Sequence, residues 1–163
     1  MIKLCIADSF PVVTEGLQSY FQGNSKAEIV GTAKNLESLL VFLDSRRCDI
    51  LLLDVEFDGL SSIRDIKSLL KDFTATKIIL FTNVSEQMYA PTAIKAGVSA
   101  YVSKKSNLKE LEATILKVAE GKVVFSDTVK KSIEMLSKGK KSERLFKKLS
   151  TREIEVLRYL NDG

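Results

Sequence analysis

The sequence contains no histidine, no tryptophan, only two cysteines and only two prolines. Without histidine, imidazole acid–base chemistry, a Ser-His-Asp triad and Cys/His zinc fingers are excluded. Two thiols, Cys5 and Cys48, make neither a disulfide scaffold nor a four-cysteine zinc site, and both read as small buried hydrophobes. The apolar runs are short, as in Ile50 to Leu53 and Ile78 to Phe81, so none spans a membrane. Asp8 interrupts any apolar run near the N-terminus, so no signal peptide is expected. These absences predict a soluble, reduced, cytoplasmic protein. A glycine-rich phosphate loop is also lacking, and there is no tryptophan to stack on a flavin. That argues against the rival class, a flavodoxin-like enzyme or nucleotide binder.

What is present is a globular composition, 45% hydrophobic and 28% charged, over 163 residues. The length allows one ordinary domain plus a small remainder. The charge is uneven. Lys130, Lys131, Lys138, Lys140, Lys141, Arg144, Lys147 and Lys148 crowd one late stretch, opposed by Glu134 and Glu143. Residues 1–129 are nearly neutral by comparison. The basic stretch includes Ser137-Lys138-Gly139-Lys140-Lys141-Ser142, which reads as a linker; a solvated connector and a nucleic-acid or partner surface are both open readings.

Ahead of it, short apolar runs alternate with helical patterns. Strands are predicted over Ile2 to Ala7, Glu28 to Ala33, Asp49 to Val55, Lys77 to Thr82 and Val98 to Val102. Helices are predicted over Pro11 to Phe21, from an Asn35 cap through Leu43, over Leu60 to Phe73, over Glu86 to Ala96, and from an Asn107 cap to Gly121. Pro91 should weaken or kink the fourth of these. Val129, Ile133 and Leu136 predict one more helix over Ser126 to Leu136, which either packs on the body or pairs with another subunit. Five β/α pairs with near-continuous apolar strands predict an α/β fold: a doubly wound, five-stranded parallel sheet with helices on both faces.

Such folds place ligands at the carboxyl ends of the strands. Asp8-Ser9, Asp54 with Glu56 close behind, Thr82-Asn83, and Tyr101 followed by Lys104 all fall there. Each alone is an ordinary strand terminus. Together, carboxylates can hold a hard cation such as Mg²⁺, while a lysine and a hydroxyl bind phosphoryl oxygens. A carboxylate can then accept a phosphoryl group.

In order and spacing, residues 1 to about 122 resemble the receiver domain of bacterial two-component response regulators. Ile6-Ala7-Asp8-Ser9-Phe10-Pro11 through Leu17 is similar to the opening of the NarL/FixJ subfamily. Asp49 to Asp54 resembles the phospho-acceptor strand, and Ala93 to Lys104 resembles the fourth helix and fifth strand. Leu149 to Gly163 resembles the first helix of a LuxR-type helix-turn-helix domain, with Ile154, Leu157 and Leu160 on its apolar face. The resemblance implies a receiver over 1–122, a helical basic linker over 123–148, and a truncated DNA-binding domain over 149–163. The recognition helix would then lie beyond Gly163, so a truncated product without specific DNA binding is expected, and DNA-contacting residues are unknown.

The resemblance further implies a signalling switch, not an enzyme, of a phosphorelay that controls transcription. Asp54 would be the phospho-acceptor, Thr82 the switch hydroxyl, Tyr101 the switch aromatic and Lys104 the phosphate-pairing lysine. Asp8, Asp54 and Glu56, the last by side chain or backbone, would hold Mg²⁺. A sensor histidine kinase, a homodimer and, for the full-length parent, DNA would be the partners, with no membrane. Ser9 stands where the family usually has a second acid. That departure leaves an alternative: a phosphorylation-independent receiver serving as a dimerisation or interaction module.

Overall fold

The computed structural model describes residues 1–137, with side chains through Met135. Most of the basic stretch and the whole helix-turn-helix-like segment lie outside the described residues. The element order is β1 (Ile2–Ala7), α1 (Pro11–Phe21), β2 (Ala27–Ala33), α2 (Leu36–Ser45), β3 (Ile50–Leu53), α3 (Ile63–Asp72), β4 (Lys77–Thr82), α4 (Glu86–Ala96), β5 (Ala100–Ser103), α5 (Leu108–Ala119) and α6 (Asp127–Ser137). The strands form one sheet in the order β2-β1-β3-β4-β5. Every pairing is parallel. The doubly wound, five-stranded parallel fold expected from the alternation is the fold observed.

The central strand shows why the pattern forces this arrangement. Ile50, Leu51, Leu52 and Leu53 are each at most 1% exposed, because helices cover both faces of the sheet. Burying each such side chain contributes about 1.5–3 kcal/mol relative to exposure. On one side, α1 and α5 bring Leu17, Phe21, Leu111, Ile115 and Val118 onto Ile6, Ile50, Leu52 and Ile79. On the other, α2, α3 and α4 cover Cys5, Leu51, Leu53 and Leu80. Both cysteines are free and buried.

Local signals set the ends. Asn35 and Ser38 close a reciprocal capping box on α2. Ser62 and Asp65 do the same for α3, which starts at Ile63 rather than Leu60 because that cap lies two residues further on. Gly97 closes α4 with φ at +104°, a left-handed conformation that costs a residue with a Cβ. Pro91 is accommodated inside a continuous α4, whose Ala90, Thr92 and Ala93 are buried. Packing of that face outweighs the intrahelical bond that proline cannot make.

The segment after α5 packs on the body. Val124 forms a parallel bridge with Ala100, so the chain adds a short rung beyond β5. The Val124 N–H donates to Ser99 O at 2.8 Å, and the Tyr101 N–H donates to Val124 O at 3.3 Å. Helix α6 then lies on α4. Phe125 and Val129 are buried in the same cluster as Ala90, Ala93 and Tyr101, with Ile133 packed against it.

Candidate functional site

Four strand ends meet at the carboxyl edge of the sheet. Asp8 follows β1 and Asp54 follows β3, and each is only 2% exposed. The backbone holds both in line: the Asp8 N–H donates to Ala33 O, and the Asp54 N–H donates to Ala7 O. Thr82 ends β4 and is fully buried. Lys104 follows β5, with its N–H donating to Thr82 O at 3.0 Å.

The side chains converge on Asp54. The Thr82 hydroxyl donates to Asp54 Oδ1 at 2.7 Å. The Glu56 N–H donates to the same oxygen at 3.1 Å. Lys104 Nζ donates to Asp54 Oδ2 and lies 2.7 Å from Asp8 Oδ2. Lys104 thus bridges the two buried carboxylates. Burial alone would pull the lysine's pKa down; its hydrogen bonds to Asp54 and Asp8, and their charges, outweigh burial and hold it above its ordinary value. Lys104 is therefore a cation across the neutral range.

Tyr101 in β5 is 9% exposed. Burial, then the charges of Glu86 and Asp54, push its phenol up to about 12. It stays neutral, close enough to feel both carboxylates. The Glu56 carboxylate is placed differently from the other acids: its side chain is exposed, and only its backbone reaches Asp54. Among the described residues no three metal-ligating side chains gather.

Residues 4–116 match the response regulator receiver domain family. The chain belongs to that family. The chain is 32% identical over 166 residues to a putative transcriptional regulator of Pseudomonas aeruginosa, covering 100% of this chain and 78% of that one. It is 26% identical to the response regulator protein VraR of Staphylococcus aureus, over 99% of this chain and 77% of VraR. Among solved structures, RcsB of Salmonella typhimurium shares the fold at a TM-score of 0.75 and 22% identity, over 100% of this chain and 79% of RcsB. A LuxR-family DNA-binding response regulator from Staphylococcus aureus shares it at a TM-score of 0.66 and 23% identity, over 73% and 99% of the two chains. The chain is thus a response regulator of the two-component type. No helix among the described residues is long and apolar enough to cross a membrane.

The roles of four residues escaped the sequence. Phe10 serves the site twice: its N–H donates to Asp8 Oδ1 at 2.8 Å, and its ring lies 5.2 Å from Lys104 Nζ. Such a cation–π contact adds about 0.5–1 kcal/mol at a partly exposed position. Ser9 is engaged in structure, accepting from the Asp58 N–H at 3.0 Å and donating to Lys34 O at 3.3 Å. It ties the loops after β1, β2 and β3 together. Beside Asp58, Gly59 has φ at +83°, and a Cβ there would come within 3.0 Å of Leu36 Cβ, so glycine serves both conformation and space. Glu86 is the fourth: it opens α4 and accepts the Ser126 N–H at 2.9 Å. None of these carried a local signal, since each depends on a partner distant in sequence.

Proposed function

We propose that Asp54 accepts a phosphoryl group from the phosphohistidine of a sensor kinase, and that the change controls dimerisation and a C-terminal DNA-binding output in transcription. The observation that carries this reading is the convergence on Asp54: one buried carboxylate meets a hydroxyl at Oδ1 and an ammonium at Oδ2. A carboxylate oxygen attacks phosphorus, the phosphorus–nitrogen bond of the donor breaks, and the imidazole keeps the electron pair. Lys104 neutralises the transferred oxygens, and Thr82 can turn its hydroxyl from Asp54 to one of them.

A hard divalent cation fits the residues present in reduced form. Asp8 and Asp54 supply two buried carboxylates side by side, with the Lys104 ammonium against an oxygen of each. Mg²⁺ commonly takes one or two carboxylates together with waters and phosphate oxygens. Asp8 and Asp54 would hold it, with Glu56 offering backbone rather than its exposed carboxylate. The ion would supply charge stabilisation for the transferring phosphoryl group. Ser9 contributes no charge, and its hydroxyl is already spent on Asp58 and Lys34.

The proposed organisation is a receiver over 1–122, a helical segment and basic linker over 123–148, and the start of a DNA-binding domain over 149–163. The test is intact mass after incubation with Mg²⁺ and acetyl phosphate. One phosphoryl group is expected on the wild type and none on Asp54→Asn. A wild type that stays unmodified, where a standard receiver is modified, would overturn the reading in favour of a phosphorylation-independent module.

A further inference from the structure

We propose that α6 is a latch, seated on α4 and Tyr101 while Asp54 is unmodified and loosened when Asp54 carries a phosphoryl group. The inference rests on the phospho-acceptor reading of Asp54 and adds what that event moves.

The latch has two attachments. One is polar: the Glu86 carboxylate receives the Ser126 N–H at the start of α6. A carboxylate at a helix N-terminus faces unsatisfied N–H groups and the positive end of the helix dipole, so it favours the seated helix. The other is apolar: Phe125 and Val129 are 6% and 1% exposed, in one buried cluster with Tyr101, Ala90 and Ala93. The opposite flank of α6 leaves Met135 71% exposed, so one face only is seated.

Both attachments connect to Asp54 through short links. Thr82 donates to Asp54 Oδ1, and the Val84 N–H reaches the Thr82 hydroxyl at 3.4 Å. Val84 lies two residues before Glu86. A turn of Thr82 toward a phosphoryl oxygen therefore pulls on the loop that places the Glu86 carboxylate. Tyr101 lies on the second link, with its ring in the cluster that holds Phe125 and its N–H on Val124 O. Tyr101 also feels the charge of Asp54, and any displacement of its ring removes part of the floor under Phe125 and Val129. The two-state element is α6, and both of its attachments are biased from one carboxylate.

Hydrogen–deuterium exchange of the whole chain, with phosphoryl occupancy read by intact mass on the same samples, tests this. Amides of 126–135 should be protected in the unmodified protein and exchange at least about tenfold faster once Asp54 is phosphorylated, with α5 unchanged. Glu86→Ala should loosen the same amides without any phosphodonor. By reciprocity, it should also raise the phosphoryl occupancy reached at a given acetyl phosphate concentration. A phosphoryl group on Asp54 with unchanged exchange in α6 overturns the latch alone. Absence of the phosphoryl group overturns the reading of Asp54, and the latch loses its trigger with it.

Discussion

The two sides of the sheet are built differently. The side covered by α1 and α5 is packed with large aliphatic and aromatic groups: Leu17, Phe21, Leu111, Ile115 and Val118. It also carries a polar clamp, in which Glu112 on α5 accepts the Tyr20 hydroxyl at 2.9 Å and the Asn24 amide at 3.0 Å. Across the sheet, α2 and α3 also bury large groups, among them Leu39, Ile63, Ile66 and Leu69, but α4 offers mainly Ala90, Thr92 and Ala93, and its cover is completed by α6 from outside the five β/α pairs. Long side chains interlock two elements; small ones let a neighbour lie close without trapping it. The difference lies at α4, where small side chains leave part of the cover to a helix from outside the β/α pairs.

The largest blow to the α1/α5 side is Ile115→Ala. Ile115 is fully buried, so the cavity and lost burial should cost about 2–5 kcal/mol in chemical denaturation, with the whole receiver destabilised together. Val129→Ala removes fewer carbons and should cost about 1.5 kcal/mol. Its loss is capped, because α6 can leave the body without unfolding the sheet. Exchange measurements should show it confined to α6 and the adjoining surface of α4. If the two variants lowered global stability equally, the contrast between the sides would be wrong. The smallest effect is alkaline. The Tyr101 phenol is favoured neutral in the fold, with its pKa raised from 10 to about 12, first by burial. Its contribution is complete below pH 10 and is lost as pH rises from there through about 12. Tyr101→Phe should flatten that part of the stability profile, and an unchanged slope would place the alkaline loss elsewhere.

Much of this architecture is legible in the chain. β1, α1, β4 and α4 span the residues their apolar periods predict, and Pro11 at the start of α1 and Gly97 after α4 mark two of those ends. β5 starts at Ala100 and not at Val98, since the Val98 N–H bonds back to Ala93 O at the close of α4. At the site, Asp8, Asp54, Thr82 and Lys104 could be singled out because each stands at a strand end, and a parallel sheet sends all such ends to one edge. Glu56 could not be placed the same way: a loop residue two positions on can turn either way, and its carboxylate turns out. Ser9 read as a missing acid, whereas its hydroxyl joins three loops. That contact needs Asp58 and Lys34 to be brought near by the fold, and no local pattern announces it.

The single rung between Ala100 and Val124 decides the route of the chain. Helix α5 delivers it to the far edge of the sheet, where Lys77 at the start of β4 donates to Val118 O at 2.8 Å. Left there, everything downstream would hang on the side opposite Asp54. Running parallel to β5, Val124 instead carries the chain back up, and Ser126 arrives beside Glu86. The chain therefore leaves the body at the edge that carries Asp54, and not at the opposite one.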